Sequence, residues 1–146
     1  MTLPIDPSRL DADDIGTKRT TLEMSHEEAV EHVREVFTDV GFGIPVEFSP
    51  SELLNEKVAA DRDPYYVLGA CNPAIADRAL DASENRLGGL FPCNVVVWED
   101  EPGVQTVYHV SIMRIARLVG VAPDDDTMAD IIEDTGELAD EAFEAL

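Results

Sequence analysis

Cations are scarce in this 146-residue chain: ten Lys and Arg stand against 31 Asp and Glu, for a formal charge of −21. Only Lys18 and Lys57 are lysines. So negative a chain repels phosphate backbones, and its cations are too dispersed to form a basic patch, so no nucleic-acid partner is expected. Long apolar runs are also missing; nothing approaches the roughly 18 residues of a membrane helix, so no membrane partner is expected. The start, Met1-Thr2-Leu3-Pro4-Ile5-Asp6, lacks the basic and apolar regions of a signal peptide, which points to the cytoplasm. Cysteine is limited to Cys71 and Cys93, and in that compartment two cysteines read as thiols or ligands before they read as a structural disulfide. P-loop, GxGxxG, HExxH and Ser-His-Asp patterns are all lacking, so no catalytic residue is assigned.

What is present is a core. Hydrophobic residues make up 45% of the chain, enough to exclude disorder despite the charge, and the length suits one domain. An acidic, lysine-poor but well-cored protein is what a high-salt cytoplasm favours, because carboxylates stay hydrated while salt screens their repulsion.

Residues 1–17 are acidic and broken by proline, without an apolar period, and are expected to form a loose arm or peripheral segment. A single α+β domain is expected over 18–146. Thr20, Leu22 and Met24 alternate as in a strand. Ser25 and Glu28 then form a capping box ahead of Ala29, Val33, Val36 and Val40 at helical spacing, with Gly41 as the stop. Strands are expected at 42–48, with Pro45 marking an edge or bulge, and at 65–70, 91–98 and 104–110. A short helix follows Ser49-Pro50. Another follows Asn72 as N-cap and Pro73 at the first helical position, turning Ala76, Ala79 and Leu80 inward. Residues 81–89 read as a loop, and 111–119 fit a helical face as well as a strand. From about Thr127 onward, Met128, Ile131, Ile132, Thr135, Leu138 and Ala142 line one side of a long helix. Two long amphipathic helices over one face of a mainly antiparallel sheet make an α+β two-layer sandwich.

The chemistry concentrates at Cys71-Asn72 and Cys93-Asn94. Cys71 lies where a strand meets a helix start, a place that stabilises a thiolate and so favours ligation, nucleophilic attack or redox sensing. Small apolar packing explains the same residue, since free cysteine is among the most buried residue types. Cys93 begins a strand that should be central, where packing explains it still better. His109 ends a strand and could join Cys71 and Cys93 as a third metal ligand. Asn72 and Asn94 have structural explanations as a cap and a strand-start residue.

Gly41-Phe42-Gly43-Ile44, Tyr66-Val67-Leu68-Gly69-Ala70-Cys71-Asn72-Pro73, Ala79-Leu80 and Phe91-Pro92-Cys93-Asn94-Val95-Val96-Val97 occur here in that order. In these motifs the chain resembles the domain of unknown function 302 family over roughly residues 19–146. The resemblance implies a TBP-like fold of strand, helix, four strands and helix, commonly as a homodimer. It supports Cys71, Asn72, Pro73, Pro92, Cys93 and Asn94 as a shared cluster. Family members commonly carry Asp-Pro after the last strand, whereas this chain runs His109-Val110-Ser111-Ile112-Met113. The expected function is therefore a small dimeric module binding a small ligand or a transition metal near Cys71, Asn72, Cys93 and Asn94. The alternatives are a thiol redox enzyme or sensor using Cys71, and a purely structural or interaction domain.

Overall fold

A computed structural model describes residues 5–146. Five strands, β1 (Lys18–Glu23), β2 (Gly43–Phe48), β3 (Tyr65–Cys71), β4 (Cys93–Glu101) and β5 (Val104–His109), form one sheet in the order β1-β5-β4-β3-β2. Every neighbouring pair is antiparallel. Five helices are interleaved: α1 (His26–Val40), α2 (Pro50–Val58), α3 (Pro73–Ala82), α4 (Ile112–Leu118) and α5 (Asp126–Ala145). The architecture is α+β, as the periodicities imply.

Local chemistry sets these boundaries. Ser25 accepts a hydrogen bond from the Glu28 amide, and Gly41 ends α1 at φ +117°, a left-handed conformation that glycine adopts without a Cβ penalty. Pro45 lies in edge strand β2, whose register slips between Gly43 and Val46, so the missing N–H interrupts no central ladder. The ambiguous stretch after His109 is helical. Ser111 caps it by accepting from the Arg114 amide, and Ile112, Met113 and Ala116 turn inward.

Two apolar clusters fill the layer between sheet and helices. In the first, Ala29, Val33 and Phe37 of α1 lie on Leu68, Val95, Val97 and Val107 of the central strands. The second gathers α3, α4 and α5 around Cys93, with Ile75, Met113, Met128 and Ile131 at its centre. Ile75 and Ala79 are the buried positions of α3, so its inner stripe is rotated from the expected one built on Ala76 and Leu80. The expected loop at 81–89 contains a 3₁₀ turn, Arg86–Leu90, that buries Leu87 completely. Buried Ser83 organises it, donating to the Ala79 carbonyl and accepting from the Leu87 amide.

Within the described part of the N-terminal segment, residues 5–17 lie along the periphery of the domain. The Ser111 amide donates to the Ile15 carbonyl at 2.8 Å, and Ile5, Leu10 and Ile15 lie along an apolar crevice beside Ile115 and Leu118. The opposite side of the sheet bears Tyr65 stacked on Trp98 at 5.8 Å, with Arg19 over the indole at 5.3 Å.

Candidate functional site

Antiparallel pairing places Ala70 opposite Cys93, so the end of β3 and the start of β4 bring both Cys-Asn motifs to one end of the sheet. Alternation along β4 buries Cys93, Val95 and Val97, which puts the Cys93 side chain on the core side. The Phe91–Pro92 peptide just before it is cis. At this sheet end is a cavity of about 190 Å³, bordered by Cys71, Asn72, Cys93, Ile75, Phe91 and Met113. Its walls are almost wholly apolar.

Asn72 has the structural role the sequence gives it. Its Oδ1 accepts from the Ile75 amide at 3.1 Å, capping α3, while its Nδ2 donates to the Gly41 carbonyl at 3.1 Å. One side chain thus ties the helix that roofs the cavity to the end of α1. Asn94 differs: its side chain is exposed, and it does not border the cavity. Instead, its carbonyl accepts a hydrogen bond from His109 Nδ1 at 2.8 Å.

The two thiols are unequal. Cys71 is half-buried at the mouth, directly before the α3 cap, whereas Cys93 is buried. Burial, reinforced by the nearby Cys71, pushes the Cys93 thiol up to about 12, so at neutral pH it holds its proton. A protonated thiol is a poor nucleophile and a poor metal ligand. The cavity therefore offers apolar walls and one accessible sulfur.

His109 does not complete a trio with these cysteines. It lies in register with Val95 and Lys18, and it borders a different cavity under the start of α4. Among the described residues no group of three His, Cys, Asp or Glu side chains converges to hold a metal ion. The physical reason is distance along the sheet: Cys93 and His109 share the core side, but His109 pairs two residues further along β4.

Sequence reasoning missed two polar features. Gln105 is fully buried, and its Oε1 accepts from His26 Nδ1 at 2.8 Å. Glu47, in an edge strand, bonds Arg34 of α1 and accepts from the Tyr66 hydroxyl at 2.7 Å. The Arg34 hydrogen bond holds the Glu47 carboxyl below its usual range despite some desolvation. The alternation of Ile44, Val46 and Phe48 points Glu47 away from the core, whereas its pairing with buried Leu68 puts it on the helix side; that register and the partner Arg34 are invisible in sequence. A groove of about 640 Å³ opens between α1 and α2 beside this pair.

The pattern described as Domain of unknown function DUF302 matches residues 18–146. The chain belongs to the DUF302 family. A crystal structure of an uncharacterised conserved DUF302 protein from Bacillus stearothermophilus is similar throughout, with a TM-score of 0.73 at 25% identity. The likeness covers 88% of this chain and 96% of that one. No curated protein matches. Both Cys-Asn motifs fall within the DUF302 span, as do the five strands that position them. No helix among the described residues is long and apolar enough to cross a membrane.

Proposed function

We propose that this DUF302 protein is a binding module for a small apolar molecule, held in the cavity between Cys71 and Cys93. The observation that carries the reading is that cavity of about 190 Å³, enclosed by Ile75, Phe91, Met113 and both thiols. Its volume suits a ligand near the size of a single aromatic ring, since a dry apolar cavity of about 150 Å³ takes up benzene. Apolar walls favour such a ligand by roughly 25 cal/mol per Å² of surface removed from water. A thiol redox role carries less weight, because a resolving Cys93 has to ionise first and burial opposes that. A transition metal is less favoured for the same reason, and because His109 opens elsewhere.

Assembly as a homodimer belongs to the same reading. The sheet side away from the helices carries Val67, Val96, Trp98 and Tyr108, half-buried, with Val46 and Phe48 of β2 56% and 51% exposed. Its acids, Glu23, Asp100 and Glu101, sit toward the β4–β5 turn, while the centre has none. In a chain of −21 this is a surface on which a second copy can be approached without carboxylate repulsion.

Toluene titrated into native protein in molar KCl tests the site. It is expected to raise Tm with concentration and to slow labelling of Cys71 by a small thiol reagent, with Cys93 inert until unfolding. An unchanged Tm together with unprotected Cys71 rejects the binding role. Light scattering reports the subunit number: Phe48→Asp is expected to leave a folded monomer, and a monomeric parent at micromolar concentration rejects the dimer.

A further inference from the structure

The second cavity, about 250 Å³, lies beyond Thr135, a residue that borders both it and the cysteine cavity. Its walls include Asp13, Lys18, His109, Arg114 and Asp140. The chemistry is the reverse of that of the apolar cleft. His109 is only 4% exposed, yet one of its ring nitrogens is uncommitted. Nδ1 faces the Asn94 carbonyl, which can only accept, so Nδ1 carries the proton of the neutral ring. Nε2 then holds a lone pair, and among the described residues it takes part in no hydrogen bond. No sealed side-chain nitrogen or oxygen among the described residues lacks a partner, so Nε2 reaches open space at this cavity.

The charges around it are also distinctive. Lys18 is paired with Asp140 across the cavity. Arg114 belongs to none of the five ion pairs among the described residues. Arg9, Arg19, Arg62, Arg86 and Arg117 are in none of them either, so what singles out Arg114 is its place on the wall of this cavity beside His109. Lys18 and Arg114 offset Asp13 and Asp140, so the walls sum to neutral while the molecule carries −21. Arg is the side chain best shaped to take a carboxylate through two parallel N–H donors.

We infer that this cavity binds a small hydroxycarboxylic acid, its carboxylate held by Arg114 with Lys18 nearby and its hydroxyl donating to His109 Nε2. The exposed Asn94 side chain is not needed for this; the Asn94 carbonyl sets the His109 tautomer, which links the Cys93-Asn94 motif to the second site. Burial and the Lys18 charge both lower the His109 pKa, which keeps the lone pair available at neutral pH. This site is separate from the apolar cavity, and neither depends on the other being occupied.

Imidazole ¹⁵N spectra of the whole protein test the inference directly, with glycolate and lactate as probes and acetate and propionate as acids of like size without a hydroxyl. The free protein is expected to show His109 as the Nδ1–H tautomer. Glycolate or lactate should shift its Nε2 resonance saturably, at least tenfold more tightly than acetate or propionate. Arg114→Gln should weaken all four acids about tenfold, and in His109→Phe, where the rise of Tm with acid concentration reports binding, the preference for the hydroxyl should vanish while acid binding persists. Should His109→Phe not fold, the parent spectra and Arg114→Gln still decide. A silent Nε2, equal affinity for acetate and glycolate, or unchanged binding in Arg114→Gln overturns the inference.

Discussion

Under α1, Val33, Phe37, Leu68, Val95, Val97 and Val107 are cut off from solvent completely, whereas at the end of the same strands Cys93, Ile75 and Met113 border open space. The first region is the tighter piece of packing: Phe37 and Phe42 rings lie 5.3 Å apart, and Phe143 meets Phe37 edge-on at 6.1 Å. The second has its own apolar cluster behind the cavity and adds polar fastenings, the Asn72 bridge to Gly41 and the Asn94 carbonyl on His109. Strand continuity joins the two, so the sealed half can supply stability while the open end carries voids. A protein that spends its close packing evenly would have no room for a ligand.

Truncation separates the halves most sharply. Phe37→Ala is expected to cost about 3–5 kcal/mol, because a fully enclosed ring leaves a cavity its neighbours cannot collapse into. Met113→Ala should cost about 2 kcal/mol, near the low end for a buried Met, since one side of its chain already lacks partner atoms. Urea unfolding with unchanged m-values measures both. Equal losses would show that the cysteine end is as load-sharing as the α1 layer, and would break the distinction.

Gly69 marks where the sheet closes against the cavity wall. A Cβ there would lie 2.6 Å from Pro92 Cγ, 2.7 Å from Val46 Cγ2 and 3.0 Å from the Val46 carbonyl oxygen. Two rigid neighbours and a backbone atom cannot all withdraw, so Gly69→Ala is expected to cost about 1–3 kcal/mol by overpacking. It should also displace Pro92, one of the cavity's walls, and so weaken toluene binding. A neutral substitution with intact binding would mean that β2 yields freely at this edge.

Much of this architecture was legible in the sequence. The boundaries of α1 followed from Ser25, Glu28 and Gly41, and the inner stripe of α5 from its spacing, because caps and long amphipathic periods are local signals. The seven residues of α4 are too few for a helical period to exclude a strand, and α3 is short enough that a one-residue rotation exchanges Ile75 for Ala76. The site was half legible. Adjacent strands carrying Cys71 and Cys93 implied their meeting, but the place of His109 depends on the register of β4 with β5. That register shifts between Glu99 and Glu101, a bulge with no sequence mark strong enough to count across. Nor does sequence show that Asn94 acts through its carbonyl.

The open end should also be the pH-sensitive one. An exposed thiol titrates near about 8.5, while Cys93 is held up to about 12, so between these values the unfolded chain has lost a proton that the folded one keeps. Stability therefore falls as pH rises through this window, by about 1.4 kcal/mol per pH unit. Cys93→Ala should remove that slope, with Cys71 unchanged in both proteins.

His109 works in the opposite direction and more weakly. Its folded pKa is lowered, chiefly by burial, so below the unfolded value of about 6.5 the unfolded chain takes up a proton first. Its contribution is complete above that pH and fades as acid brings the buried ring to charge. Asp13, Asp140, Lys18 and Arg114 border the same cavity and are present in parent and variant alike. Subtracting the urea-derived stability of His109→Gln from that of the parent between pH 7.5 and 5.5, about one pH unit either side of the unfolded value, isolates the histidine. The difference should shrink toward acid. A difference that stays level over this range would place His109 in a setting no less hydrated than the unfolded chain, and the contrast between its cavity and the sealed layer under α1 would lose its electrostatic half.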